Sequence, residues 1–197
     1  TWGIPRYSGR SRAALIEIQM DEYGEGRPNE AHADLFADTM EALGLDPTYG
    51  AYLDHVPAVT LATTNLISFF GLHRRLLPAL LGHLALFENT SVTPMARYSR
   101  ALERLGFGED ARRFYDVHVE ADEHHGPLAA SRLVGDFVAE NPETRADVMW
   151  GAGCVMALEE RLARHLMTCW GDDRTSLRIP LPDAVVVGDE VTSFVAV

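Results

Sequence analysis

One run in this chain combines residue types and a spacing that suit metal chemistry. Between Phe114 and Gly126, the residues His118, Asp122 and His125 read H-x-x-x-D-x-x-H. On an α-helix, steps of four and seven residues return to nearly the same angle, so the three side chains share one face. Two imidazoles and a carboxylate on one stripe can bind iron, zinc or manganese. The interleaved Glu120, Glu123 and His124 point elsewhere and are expected in solvent. In an acidic helix rich in histidine, a charged surface face is the competing reading, and the rest of the chain has to decide between them.

Three further residues bear on that choice. Glu88 lies in Gly-His-Leu-Ala-Leu-Phe-Glu-Asn, the least polar segment of the chain, and Glu17 lies in Ala-Ala-Leu-Ile-Glu-Ile. A buried carboxylate without a partner costs several kcal/mol or takes up a proton. A metal ion is one natural partner, and an arginine such as Arg74 or Arg75 is the other. His32 shares a helical segment with Leu35 and Phe36, where a lone histidine is more often a hydrogen-bonded core residue than a ligand. Taken together, however, several carboxylates and three histidines over four helices are what two adjacent metal ions need. They supply mixed oxygen and nitrogen ligands and leave positions for dioxygen. The absence of cysteine from the set argues against structural zinc.

The elements that must position these residues read as helices. The 197 residues suit one domain with a sizeable core. A helix is expected from Ser11 to about Tyr23, a second from Pro28 to Leu43, and a third from Pro57 to Leu72. Two more are expected over 76–89 and 94–105, and the His118 helix from Asp110. That helix is expected to bend at Gly126-Pro127, since proline donates no backbone bond, and to resume to Glu140. Asn141-Pro142-Glu143 reads as a cap, a first-turn proline and a first-turn acid, opening a last helix to Trp170. The reading is an all-α domain over residues 1–171. Residues 172–197 form a C-terminal extension, a tail or short strands at Val185–Val187 and Thr192–Val197. In the third helix, Thr60, Thr63, Thr64, Asn65 and Ser68 either bond back to their own helix or line a pocket.

A net charge of −12 argues against nucleic acid or an anionic membrane as partner. No apolar run reaches the roughly 18 residues of a membrane span, and no signal peptide is visible. Cys154 and Cys169, fifteen residues apart on one expected helix, stand ~22 Å from each other, too far for a disulfide. Two reduced thiols fit a cytoplasmic protein. Dinucleotide, Walker and nucleophile-elbow motifs are absent from the sequence.

The order Glu22…His32, then Glu88, then His118-x-x-x-Asp122-x-x-His125, resembles the heme-oxygenase-like diiron oxidases and oxygenases, a family of iron-containing redox enzymes. The Asp-Glu-Tyr-Gly run at 21–24 and the intervals of 56 residues from His32 to Glu88 and 30 from Glu88 to His118 carry the same resemblance. It covers about residues 11–170. It implies a heme-oxygenase-like helical bundle, often a homodimer, that holds two irons and no heme and uses O2 to oxidise a small substrate. An external electron donor accompanies some such chemistry. The implied ligands are Glu22, His32, Glu88, His118, Asp122 and His125, with Glu17 as a competing or additional first acid. Glu17 and Glu22, five residues apart, cannot share one face of an ideal helix, although a break near Tyr23 would let both reach the metals.

Members of such a family divide between N-oxygenation of amines and C–C cleavage or desaturation of aliphatic or amino acids, often in natural-product pathways. N-oxygenation is favoured here because Glu17, Glu22, Glu88 and Asp122 offer one acid more than a six-ligand site requires. Oxidative cleavage is the alternative, and a non-catalytic metal-binding scaffold is a further one. A heme oxygenase needs one proximal histidine and leaves Glu88 and Asp122 unexplained. Position alone suggests Thr64, Asn65, Ser68, Phe69 and Tyr115 as substrate-binding residues.

Overall fold

Apolar residues at steps of three and four set the first helix: α1 (Gly9–Glu22) buries Ser11, Ala14, Leu15 and Ile18 along one stripe. The computed structural model describes residues 2–181, and among these the secondary structure is helical, with no strand. The candidate strands at 185–187 and 192–197 lie outside the described residues. After α1 come α2 (His32–Ala42), α3 (Ala58–Leu72), α4 (Leu77–Thr90), α5 (Val92–Arg104) and α6 (Glu109–Leu128). A π-helical stretch, Ala129–Gly135, leads into α7 (Asp136–Glu140), and the 27-residue α8 (Arg145–Gly171) follows.

Two expected boundaries differ. Helix α2 begins at His32 rather than Pro28, because Asn29 has φ 61°, a left-handed conformation that helices do not continue through. The helical run does continue past Pro127 to Glu140, as expected. The backbone stays helical through Ala129 (φ −64°, ψ −43°) and re-registers into the π stretch, which accommodates the missing proline donor. Asn141 does not cap α8. Its side-chain amide donates back to Phe137 O at 3.0 Å, closing α7, and a 3-10 turn at Pro142–Thr144 starts α8 instead.

The core joins Ala14, Leu15 and Ile18 of α1 to Phe70 of α3, Ala79, Leu80 and Leu81 of α4, and Leu128, Ala129 and Leu133 around the π stretch. Helices α4 and α8 cross at two glycines. A Cβ on Gly82 would overlap Val148 O, and one on Gly151 would overlap Ala79 O, so only glycine permits this approach. Helix α6 packs on α2, α4 and α5. At Gly126 a Cβ would sit 3.0 Å from Glu88 O, which draws the C-terminal turn of α4 against the histidine face of α6.

Cys154 and Cys169 are free thiols, both on α8. Residues 172–181 run back without regular structure. His165 Nε2 donates to Ser176 O at 2.8 Å, and the Arg178 amide donates to His55 O at 2.7 Å, which ties this segment to the loop between α2 and α3. Among the described residues, no helix is long and apolar enough to cross a membrane.

Candidate metal centre

Two groups of ligand-type side chains form where α1, α2, α4 and α6 meet. The first is Glu22, His32 and His118; the second is Glu88, Asp122 and His125. Within each group the potential ligand atoms lie within 4.8 Å of one another. Helix α6 contributes to both, and the four-residue step from His118 to Asp122 spaces the groups by about 6 Å along its axis.

In the first group, His32 Nδ1 lies 3.1 Å from Glu22 Oε2 and 3.1 Å from His118 Nε2. His118 Nδ1–H donates to Phe114 O at 2.8 Å, which leaves Nε2 as a lone pair facing His32 and Glu22. His32 Nδ1 can carry at most one proton between two acceptors, so one close approach is uncompensated unless a cation sits among the three atoms. His32 is buried, and its ring packs on the half-buried His118 ring with centroids 4.2 Å apart.

The second group is more deeply enclosed. His125 has no exposure, Asp122 is 5% exposed and Glu88 is 7% exposed. Asp21 Oδ2 lies 2.7 Å from His125 Nε2. On the other side of the ring, Nδ1 faces Glu88 Oε2 at 3.3 Å and Asp122 Oδ1 at 3.6 Å. Neither Nδ1 nor Glu88 Oε2 finds a hydrogen bond although both are buried. Buried polar atoms are rarely left in this way, and converging carboxylate oxygens around an imidazole nitrogen form a cradle for a cation. Ser91 Oγ donates to Asp122 Oδ2 and orients that carboxylate.

The electrostatics agree. Burial disfavours a charged His125, yet the Asp122, Glu88 and Asp21 carboxylates outweigh it and push its pKa up to about 11. Burial, reinforced by the Asp122 charge, raises the Glu88 carboxyl above its usual range against the pull of His125. Burial also works against ionised Asp122, but the nearby His125 ring and the hydrogen bond from Ser91 hold it below the usual range. Glu88 and Asp122 thus converge on Nδ1 while Asp21 holds Nε2, and the Nδ1 side is a place that a divalent ion fills better than a proton. The donor set, three imidazoles with carboxylates and no thiolate, suits iron or manganese.

Glu22, His32, Glu88, His118, Asp122 and His125 are therefore brought together, and Glu17 is not. Its carboxylate lies 3.3 Å from His124 Nε2 and 3.3 Å from Arg132 Nη1, on the rim between α1, α6 and the π stretch. The extra acid near the second group is Asp21 instead. Asp21 and Glu22 extend the buried stripe Ala14–Ile18 by one turn, whereas Glu17 is rotated about 100° from Ile18. That periodicity was the available signal for Asp21. Arg74 and Arg75 are exposed, so the acids around Glu88 are balanced by His125 rather than arginine.

A cavity of about 350 Å³ touches both groups, being lined by Glu22 from one and Glu88 from the other. Its other walls are mainly apolar, including Leu15, Ile18, Leu80, Leu81 and Leu84, with Gln19 and Ser68 as neutral polar groups and Trp2 at one side. Ser68 is the one suggested substrate residue on this lining. Thr64 is exposed and bonds back to Thr60 O at 3.2 Å, and Asn65 and Phe69 are exposed as well. Tyr115 lies between α5 and α6 against Tyr98, with ring centroids 5.5 Å apart. A shallower groove of about 460 Å³ on the outer side of α1, around Met20 and Tyr23, includes no residue of either group.

Comparison with known proteins agrees with this geometry. Residues 1–160 match the model of a family described as iron-containing redox enzyme. A nitrosourea synthase from Streptomyces achromogenes subsp. streptozoticus is 26% identical over 133 residues, which cover 67% of this chain and 28% of that protein. The chain therefore spans under a third of the length of that relative. With a match over most of its length, and with imidazoles and carboxylates gathered at a cavity, the chain belongs to the iron-containing redox enzyme family.

Proposed function

We propose that this protein is a non-heme diiron oxygenase that uses O2 to oxidise a small amine at nitrogen. The observation that carries the proposal is the cavity on which both ligand groups open, through Glu22 and Glu88. One ion would be held by Glu22, His32 and His118, and the other by Glu88, Asp122 and His125. The irons would supply the redox equivalents and Lewis acidity for cleaving O2. The protein's own part is to bind and to exclude water. Leu15, Ile18, Leu80, Leu81 and Leu84 dry the cavity, and Gln19 and Ser68 offer a substrate its hydrogen bonds.

Nitrogen is favoured over carbon for two reasons. Among the described residues that line the cavity there is no Lys, Arg or His to pair with a carboxylate, so aliphatic and amino acids lack an ionic anchor there. A relative is named for making a nitrosourea, a urea that carries a nitroso group. Converting an amine to a hydroxylamine, with the second oxygen atom leaving as water, consumes two electrons and two protons, so an external electron donor belongs to the proposal. So does a homodimer, supported by the exposed Met149, Trp150, Met156 and Met167 along α8.

The test is an iron-loaded protein under 18O2 with panels of small amines, amino acids and aliphatic acids, followed by oxygen uptake and mass spectrometry. The proposal predicts substrate-dependent uptake and an amine product that carries one labelled oxygen. Loss of carbon from an acid substrate supports oxidative cleavage instead. No substrate-dependent uptake supports a metal-binding scaffold, and an intense Soret band after hemin addition supports heme binding. Light scattering tests the homodimer.

A further inference from the structure

The two α6 histidines that belong to the ligand groups, His118 and His125, are presented in different ways. His118 is anchored by its own helix, through Nδ1–H to Phe114 O four residues earlier, so Nε2 faces outward to its group. The structure gives His125 no such tie to its own helix. Its ring is anchored from α1, where Asp21 Oδ2 lies 2.7 Å from Nε2. An aspartate carboxylate accepts, so this contact fixes the proton on Nε2 and turns Nδ1 toward Glu88 and Asp122. The ring has no exposure, so water does not replace this anchor. Asp21 itself keeps 36% of its side chain exposed, standing at the edge of the group rather than inside it.

We propose that Asp21 is a positioning residue that holds His125 with Nε2–H toward α1, so that Nδ1 is the atom offered with Glu88 and Asp122 to a metal ion. This rests on the metal reading of the second group. Because Glu22 follows directly in the chain, the last turn of α1 orders both groups at once: Asp21 through His125, and Glu22 through its contact with His32. Without Asp21, the buried ring is free to place its proton on Nδ1, where Glu88 and Asp122 accept it and close the position to metal. The first group contains no atom that Asp21 holds, so it is unaffected.

Cobalt(II) titration by equilibrium dialysis tests the proposal, with zinc-loaded, 15N-histidine-labelled protein read by NMR. The wild type is expected to bind in two steps. Asp21→Ala should weaken one step about 10–100-fold and leave the other unchanged. Asp21→Asn keeps a carbonyl oxygen able to accept the Nε2 proton and should stay within several-fold of wild type. The 15N spectrum should show His125 protonated at Nε2 in wild type and Asp21→Asn, and altered in Asp21→Ala. Equal affinity of wild type and Asp21→Ala overturns the proposal. So does an Asp21→Asn protein as weak as Asp21→Ala, which would make Asp21 a ligand or a charge rather than an anchor. A wild type that binds no cobalt sinks the metal reading itself, and a second step lost in Glu88→Leu but intact in Asp21→Ala sinks only the role of Asp21.

Discussion

Replacing Glu88 with leucine should have opposite consequences with and without metal. In the metal-free protein, Glu88 is a desolvated acid, 7% exposed, that crowds Asp122 and whose Oε2 makes no hydrogen bond. A buried polar group left without a hydrogen bond costs about 1–3 kcal/mol, which an apolar side chain of similar size recovers. His125 keeps Asp21 and Asp122, so no imidazole is stranded. Metal changes the sign. An ion at 100 times its Kd stabilises the folded state by about 2.7 kcal/mol per site, which at about 2–4 °C per kcal/mol for a chain of this size is about 5–11 °C. Wild type should gain this twice and Glu88→Leu once. Anaerobic calorimetry with ferrous iron, or with manganese(II) as a redox-inert substitute, reads both effects. The exposed Glu120→Ala should behave as wild type. A Glu88→Leu protein that keeps the full metal-induced rise, or that loses several kcal/mol without metal, would refute this reasoning.

Further expectations concern the frame around the centre. Burial pushes His83 down to about 4 from its usual 6.5, so the unfolded chain takes up a proton that the folded chain refuses. Stability should therefore fall as pH drops from about 6.5 to 4, by on the order of 3 kcal/mol, and urea melts of His83→Gln should show a flatter slope across that window. Gly151→Ala drives a methyl into Ala79 O and should cost about 1–3 kcal/mol or more in urea melts. Gly153→Ala, where nothing lies within 4 Å, should be neutral or gain up to about 1 kcal/mol. Hydrogen exchange over residues 110–126 should slow when metal is added, because His118, Asp122 and His125 then gain a shared partner; equal protection with and without metal would contradict this.

Much of the centre was legible because helical spacing is a local property. Steps of four and three put His118, Asp122 and His125 on one face whatever surrounds them, and the apolar neighbours of Glu88 announced its burial. Glu17 and Asp21 mark the limit. Both lie on α1, and apolar neighbours made Glu17 look enclosed, yet the edge that meets α6 depends on how closely the helices approach. That approach is fixed by distant close contacts, Gly82 and Gly151 between α4 and α8 and Gly126 against Glu88, which no local pattern encodes. The suggested substrate residues divide for the same reason. Ser68 reached the cavity, while Thr64, only one turn earlier, bonded back to its own helix. Asn141 shows that a capping signal yields to context, since it closed the preceding helix.

The central claim is that two irons sit side by side beneath one cavity. Anaerobic titration with 57Fe(II), followed by Mössbauer spectroscopy before and after air, tests it most directly. The account predicts two ferrous ions per chain and, after O2, two ferric ions magnetically coupled to a diamagnetic ground state, with binding halved in Glu88→Leu. A single ion per chain, two uncoupled ions, or tightly held zinc with no uptake of ferrous iron would contradict it.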